Sequence, residues 1–536
     1  MPTRAGTAGI VTITALALAG LAAGLPADAF FSGDSGVKLI ATLDAIAHPA
    51  RPFETDLPRI GATTTTFTDP MVVPHGGHAH VLQSPLFPPL TAPLVAAFGL
   101  RGAYVWPAIA FLALVPLFAA ARRQLLPDTS WAVLAFVVVA ANPLFFYALE
   151  FWEHVPAVAL LTAGLVLIAP ALKGEGSPAR TAAAGVLVGT GVLLRPEGAW
   201  LAAGLALVLA PRDWLPFGGG AAAVLAPAAA LNYAHFGNAL GAHASAVLSP
   251  LGTNFLAARW QRLQDWLWPA SLAQAAGLAL VAAAWVVALF KTDVRARQLL
   301  ALTGTAVVAV LASRRALPAQ SFWLGFPLAL LAFMPASVWT RETTRLAIAA
   351  LVAVAGVVLT ATNDGGAQWG TRFLLVAAPP LLLLAARGAS AATGAGAWRT
   401  LRLAGVVIVL LAGAMTSRSA YQELRGAKRN YAGLVAELAS VAPPGGIVIT
   451  DAWWLDQVAA RLHGSRTFLY VSDRAAAARA VTALRAERVD AVTLASSQDE
   501  STSTLEEVLD GTCFRTTATR HVSLRRMRLV SARCEP

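Results

Sequence analysis

A succession of long apolar runs constrains this chain more than any other feature. Runs of the length that crosses a membrane as a helix, about 17–25 residues, lie near 8–26, 103–121, 131–149, 155–171, 181–196, 216–233, 273–290, 298–313, 318–336, 345–361, 372–387 and 401–416. With a shorter run at 198–211, they predict about thirteen membrane spans. Only 13% of the 536 residues are charged, against about 25% in a soluble protein. This composition excludes a soluble enzyme, a disordered chain and a disulfide-dense scaffold.

The charged residues divide the chain in two. Residues 417–536 hold 29 of the 69 charged side chains. The pattern predicts a polytopic α-helical membrane domain at 1–416 and a soluble domain at 417–536. The net charge of +11 comes mainly from arginines between apolar runs, where positive charge orients helices. It therefore does not indicate a nucleic-acid partner.

The Lys and Arg residues of the short loops also predict the orientation. With the N-terminus in the cytoplasm, most of them lie inside, as the positive-inside rule requires, and Arg314–Arg315 is the exception. The scheme makes 28–102 a long first outer loop and places the C-terminal domain outside the plasma (inner) membrane. All nine His then lie on the outer side, which fits either ordinary polar loops or a polar outer cavity. Ala27-Asp28-Ala29 also fits a signal-peptide cleavage site, which would remove the first helix.

The C-terminal domain alternates helical and strand patterns. Strands are predicted at 447–450, 467–471 and 490–494, with helices before and between them, which indicates an α/β layer with a parallel sheet. Cys513 and Cys534 flank a hairpin-like stretch. In an oxidising compartment, two lone cysteines at this spacing are expected to form a disulfide.

Asp34 is the first residue with a candidate chemical role. It lies in Ser32-Gly33-Asp34-Ser35-Gly36, shortly after the first apolar run. A carboxylate at the edge of the membrane, beside glycines that permit close backbone approach, suits a general base. An N-cap for the following helix is the competing interpretation, and residue type alone favours it.

A second group of ionisable residues lies at Glu150, Glu153 and His154, before Pro156. Pro at the first position of a helix places this group in a turn at the outer surface. Glu153 and His154 are candidate ligands of a divalent metal ion, or candidate partners of a substrate hydroxyl. An interfacial turn anchored by Trp152 is the alternative. The His75, His78 and His80 cluster is a weaker metal candidate, because its setting is rich in glycine.

Arg195 stands between two apolar runs, in Leu194-Arg195-Pro196-Glu197. An arginine at membrane depth is costly and usually has an anionic partner. That partner is either a lipid phosphate, which guanidinium binds in a bidentate manner, or Glu197 of the same segment. Snorkelling of the long side chain to the membrane surface is the other alternative.

A Gly-rich polar segment, Asn363 to Phe373, precedes the run at 372–387. Gln368 and Trp369 could bind sugar hydroxyls and a sugar ring, with Arg372 at the start of the next helix. A flexible turn with an aromatic anchor is the alternative.

Together, these segments resemble a known family in type and order. They are similar to the GT-C fold of polyprenyl-phosphate-sugar-dependent glycosyltransferases, the protein O-mannosyltransferase and aminoarabinose transferase group. The matching positions are Asp34, the Pro-rich segment 84–90 with Phe98-Gly99, Glu153-His154-Val155-Pro156, Gly189 to Glu197, and Gln368 to Leu374 followed by Pro379–Pro380. The chain departs from the family at Ser35, where many relatives have a second acid, and at Arg195, where some have Lys.

The resemblance implies an inverting glycosyltransferase that uses a polyprenyl-phosphate sugar and an acceptor on the outer side. Asp34 and Glu153 would be catalytic, and Arg195 and Arg372 would bind the donor phosphate. His154, Gln368 and Trp369 would bind substrate, with a divalent metal ion as a candidate cofactor and no nucleotide site. The alternatives are a transporter or flippase of lipid-linked saccharide, and a non-catalytic envelope assembly protein.

Overall fold

The computed structural model describes residues 4–56, 58, 60, 67–68, 70–75, 78–82, 84–241, 255–289, 294–333, 339–361, 365–392, 399–497 and 512–534. These residues form two compact units. The first comprises Met1–Ala22 and Trp106–Glu423, and the second comprises Ala23–Val105 and Leu424–Pro536.

The described chain is mostly helical. Its α-helices, in chain order, are α1 (Arg4–Ala23), α2 (Gly33–Ala47), α3 (Phe87–Phe98), α4 (Val105–Leu125), α5 (Trp131–Ala140), α6 (Leu144–Ala148), α7 (His154–Lys173), α8 (Pro178–Leu194), α9 (Gly198–Val208), α10 (Pro211–Phe236), α11 (Phe255–Leu267), α12 (Leu272–Leu289), α13 (Val294–Ser313), α14 (Phe322–Gly325), α15 (Arg341–Thr360), α16 (Ala378–Ala392), α17 (Arg399–Val441), α18 (Leu455–Val458) and α19 (Arg474–Ala486). Turns of 3-10 helix lie at Gly99–Tyr104, Pro327–Phe333, Arg372–Ala377, Ala460–Leu462 and Leu524–Arg526.

The chain is a multi-pass membrane protein. In the part of the chain that the structure describes, eight helices are long and apolar enough to cross a membrane. A ninth span results if α11 and α12, which meet at 90°, are counted as one broken span. Several runs in the sequence form shorter helices than expected. The run at 131–149 is divided at Asn142-Pro143 into α5 and α6, because Pro143 lacks the N–H that would continue the helix.

Glycines bring three helices of the first unit into close contact. A Cβ added at Gly185 would overlap the backbone oxygen of Phe217, and one at Gly220 would overlap that of Ala182. α8 therefore packs backbone to backbone against α10, as small residues allow in membrane helices. On its other side, Gly164 of α7 faces Val188 of α8. This packing fixes the C-terminal end of α8, where Arg195 follows.

The second unit contains two sheets and the helices packed on them. β1 (Val72–His75) and β2 (His78–Val81) form an antiparallel hairpin. The larger sheet has five strands in the order β4-β3-β5-β7-β6, which are β3 (Ile447–Thr450), β4 (Thr467–Tyr470), β5 (Ala491–Ser497), β6 (Phe514–Val522) and β7 (Met527–Cys534).

The five-stranded sheet is mixed. β3 is parallel to β4 and β5, as the sequence predicts. The C-terminal hairpin adds β7 and β6 in antiparallel orientation, and a disulfide joins Cys513 to Cys534 at the start of β6 and the end of β7. Successive strand residues point to opposite faces, so Ile449 packs with α19 residues such as Leu484. Val448 packs with Leu438 near the end of α17 on the other face.

The compact units differ from the division that charge suggests. Residues 23–105 group with the C-terminal residues, whereas the charge count assigns this loop to the membrane domain. The 416/417 boundary also lies inside α17, a continuous helix of 43 residues. Composition predicts neither the grouping of 23–105 with the C-terminal residues nor the continuity of α17. It reports residue types along the chain and carries no information on contacts between distant segments.

Candidate functional site

A buried arginine cluster lies in the first unit. Arg195, at the C-cap of α8, donates from Nη1 to Glu153 Oε1 at 3.1 Å and from Nη2 to Glu197 Oε1 at 2.7 Å. Arg195 is 9% exposed and Glu153 is 1% exposed. Charges so deeply buried must be paired. Both the local partner Glu197 and the distant Glu153, 42 residues away in the sequence, satisfy this requirement.

A second guanidinium completes the arginine cluster, which we define as Arg195, Arg372, Glu153, Glu197 and Phe373. The Arg195 Cζ lies 5.5 Å from the centre of the Phe373 ring, and the Arg372 Cζ lies 5.3 Å from the same ring. Arg372 also lies 5.5 Å from the ring centre of Trp152. Cation–π contacts of this kind hold guanidinium groups in place in water-poor sites.

The segment that carries Arg372 is held in place by the backbone conformation of Gly370 and by hydrogen bonds to the 319–320 segment. Gly370 has a φ of +66°, which glycine adopts without strain. Its N–H donates to the Ala319 oxygen at 2.8 Å, and the hydroxyl of Thr371 donates to the Gln320 oxygen at 2.6 Å. The Arg372 N–H donates to Gln368 Oε1 at 2.9 Å. Gln368 thus fixes the start of the 3-10 turn that presents Arg372.

Aromatic rings surround His154 beside the arginine cluster. The ring centres of Tyr147 and Trp152 lie 5.2 and 5.3 Å, respectively, from the ring centre of His154. The hydroxyl of Tyr147 donates to the Trp369 oxygen at 3.1 Å and accepts from the Trp369 N–H at 3.3 Å. Trp369 and His154 are both buried. Three separate motifs predicted the site residues Glu153, His154, Arg195, Gln368, Trp369 and Arg372, and all six lie in one connected region of the first unit.

Asp34 belongs to the second unit and lies in the first turn of α2. The N-cap of α2 is Ser32, whose side chain makes no cap hydrogen bond, so Asp34 is not the N-cap that residue type alone favours. A carboxylate in the first turn contributes about 0.3–1 kcal/mol through the helix dipole. The glycines that flank it are packed closely, since a Cβ on Gly36 would overlap the carbonyl oxygen of Gln457.

One buried polar cluster in the second unit has no counterpart in the sequence analysis. His463 Nε2 lies 2.7 Å from Asp44 Oδ1, and Asp44 Oδ2 accepts from the Thr55 hydroxyl and from the Asp56 N–H. Burial raises the pKa of Asp44, but the hydrogen bond and charge of His463, with the bonds from Thr55 and Asp56, outweigh burial and hold the pKa below its ordinary value. A cavity of about 560 Å³ adjoins this cluster. No sequence pattern signals the pair, because 419 residues separate its members.

No family model matches the chain, and no curated protein matches it in sequence. Among solved structures, it is similar to ArnT from Cupriavidus metallidurans bound to undecaprenyl phosphate, with a TM-score of 0.53, 13% identity, and coverage of 99% of this chain and 98% of that chain. The apo structure of ArnT gives 0.53 and 14%, with 98% of each chain covered. The Archaeoglobus fulgidus oligosaccharyltransferase tethered to an acceptor peptide gives 0.50 and 13%, covering 100% of this chain and 74% of that chain.

The chain has the GT-C fold. The predicted fold class, a GT-C-like helical membrane protein with a C-terminal α/β region, is confirmed, whereas the count of about thirteen spans stays a prediction. At this level of identity the likeness concerns the fold, and the roles of the individual residues stay predictions.

The metal prediction stays open within this GT-C chain. Among the described residues, no three His, Cys, Asp or Glu side chains are grouped so that they could hold a metal ion. Glu153 instead pairs with Arg195, and His78 pairs with Glu54 at 2.8 Å. The proposed reaction has no step that depends on a metal ion.

Proposed function

We propose that this chain is a membrane glycosyltransferase that moves a sugar, with inversion, from a polyprenyl-phosphate donor to an acceptor hydroxyl outside the cytoplasmic membrane. The arginine cluster carries the proposal, since it places two guanidinium groups against one aromatic ring in a buried part of a GT-C fold. The likeness to ArnT, whose structure holds undecaprenyl phosphate, supports the same donor class.

Arg195 and Arg372 are the proposed binding residues for the donor phosphate. A guanidinium presents its N–H donors in a planar fork, which matches the oxygens of a phosphate in a bidentate manner. The cluster has two carboxylates and two guanidinium groups, so its formal charges cancel. The carboxylates therefore restrain the arginines, and the cluster as a whole does not strongly repel a phosphate. In a water-poor site, donors already in place stabilise the charge that develops on the leaving phosphate.

Asp34 is the proposed general base. Its carboxylate takes the proton of the acceptor hydroxyl while the hydroxyl oxygen forms a bond to the anomeric carbon of the sugar. The bond from that carbon to the phosphate oxygen breaks on the opposite face, and polyprenyl phosphate leaves with the electron pair. Attack on one face and departure from the other invert the anomeric centre. Glu153 is the second proposed catalytic carboxylate, and His154, Gln368 and Trp369 are the proposed contacts for the sugar and its hydroxyl groups.

The Lys and Arg pattern supports the location of this chemistry. It favours a protein of the inner membrane whose N-terminus is cytoplasmic and whose C-terminal domain is extracytoplasmic. The acceptor would then be a glycan, lipid or protein outside the cytoplasm.

Cell-free transfer of radiolabelled sugar from a polyprenyl phosphate to extracted envelope acceptors tests the proposal. Purified protein in proteoliposomes should yield labelled product and free polyprenyl phosphate. The absence of product from every polyprenyl-phosphate sugar, together with protein-dependent movement of lipid-linked saccharide across the vesicle, would replace the transferase with a transporter.

A further inference from the structure

The C-terminal segment 455–463 makes three separate contacts with the helix that carries Asp34 and with the residues just before it. This segment comprises α18, the 3-10 turn Ala460–Leu462 and His463. All its contacts described here lie within the second unit. The inference below rests on the proposed role of Asp34.

The first contact precedes α2. Arg461 Nη1 donates to Asp28 Oδ2 across 433 residues of sequence. The two side chains are 25% and 34% exposed, so solvent only partly screens the pair. Asp28 lies six residues before Asp34, at the entry of the helix, so the ion pair restrains where α2 begins.

The second contact is a close approach at Gly33 and Gly36, the two glycines on either side of Asp34. Gly36 faces the carbonyl oxygen of Gln457, and Gly33 faces the side chain of Gln457. Any side chain at Gly36 would have to move a backbone atom of α18. The Gln457 side-chain Nε2 donates in turn to the Trp453 oxygen at 3.1 Å, so α18 meets α2 as a fixed surface.

The third contact lies near the C-terminal end of α2. His463 Nε2 lies 2.7 Å from Asp44 Oδ1, and Asp44 is buried. A helix rises about 1.5 Å per residue, so the contacts at Gly36 and Asp44 are about 12 Å apart along α2. Two separated contacts on one helix restrain both its translation and its tilt.

We infer that the 455–463 segment positions the catalytic carboxylate of Asp34, with Gln457, Arg461 and His463 as positioning residues. The C-terminal domain thus contributes to turnover by fixing the general base. Displacing a reacting group by about 1 Å costs up to about 10²-fold in rate, whereas binding of the lipid donor should not depend on this displacement.

Steady-state kinetics with the full chain test this inference. Gly36→Ala and Arg461→Ala should each lower kcat by about 10- to 100-fold and leave the KM for the polyprenyl-phosphate sugar near its wild-type value. The charge-reversed double variant Asp28→Arg/Arg461→Asp should recover most of the kcat lost in Arg461→Ala. Gly426→Ala is the matched control, because a Cβ there meets nothing within 4 Å, and it should keep the wild-type kcat.

Hydrogen exchange supplies a readout that needs no activity. In Arg461→Ala, amides of α2 should exchange faster, while amides of β3 and β5 stay protected and show that the domain is folded. Wild-type kcat in Arg461→Ala overturns the inference, as does a change confined to the donor KM. If the wild-type protein transfers no sugar, the proposed function fails, and unchanged α2 exchange in both variants would then show that the segment does not hold the helix either.

Discussion

At the scale of single residues, Arg195 offers a test of the arginine cluster. Arg195→Lys keeps the charge but loses the planar fork that reaches both Glu153 and Glu197. We expect sugar transfer to fall by about 10²-fold, as for the loss of one donor that stabilises developing charge. Kinetics on purified protein measure this, with Arg387→Lys as the control, since the Nη2 of Arg387 pairs instead with Asp128 Oδ2 at 3.7 Å. Equal transfer by the two variants would contradict the assignment.

Asp44 predicts how the second unit responds to acid. Its pKa is lower in the folded protein than in the unfolded chain, where an Asp has a pKa of about 3.9. The stability that Asp44 contributes is therefore present above about pH 4 and is lost as the pH falls through the lower, folded value. Unfolding midpoints measured from pH 7 to pH 3 should fall more steeply in the wild type than in Asp44→Asn. Identical slopes below pH 4 would remove Asp44 from the account.

The residues show how far sequence reasoning reaches. Glu197 lies two positions from Arg195, so its pairing could be proposed from the sequence. The pairing with Glu153 could not, because it depends on how α7 packs against α8. The Asp44–His463 pair is more distant still, and neither residue stands in a motif. Local chemistry is visible in a sequence, whereas contacts made by tertiary packing are not.

At the scale of elements, two glycines of α10 predict different effects of the same Gly→Ala substitution on stability. Gly220→Ala forces a methyl group against the Ala182 carbonyl oxygen of α8, and overpacking of this kind costs about 1–3 kcal/mol. Gly218→Ala, two residues earlier, meets nothing within 4 Å. We expect a lower thermal unfolding midpoint in detergent for Gly220→Ala and no decrease for Gly218→Ala. Equal midpoints would mean that α8 and α10 do not pack through these glycines.

Elements were predicted best where the local pattern is complete. The parallel strands β3, β4 and β5 lie close to their predicted positions, because apolar strands bounded by helices are visible in the sequence. The apolar runs were less informative about helix length. Proline divides the run at 131–149, and α17 continues from Arg399 to Val441 because no proline or helix-ending glycine marks its predicted end at 416.

At the scale of the whole molecule, topology is the first prediction. Reporter fusions after Tyr421 should be active only with a reporter that folds outside the cytoplasm, because positively charged loops orient the preceding spans. An active cytoplasmic reporter after Tyr421 would reverse the orientation and place Asp34 on the wrong side of the membrane.

Thiol labelling of the unreduced protein should find no reactive thiol, since Cys513 and Cys534 are paired and disulfides persist in oxidising compartments.

The central claim is that this GT-C chain transfers sugar with Asp34 as the base, and Asp34→Asn tests it most directly. The change preserves side-chain size, and the helix-dipole contribution that it removes is about 0.3–1 kcal/mol. Membrane level and thermal stability should stay normal. Transfer from the radiolabelled polyprenyl-phosphate sugar should fall by about 10²–10⁴-fold. Asp56→Asn, the same change at a side chain that is 59% exposed, should retain most of the activity. Transfer by purified Asp34→Asn at close to the wild-type rate would contradict the account.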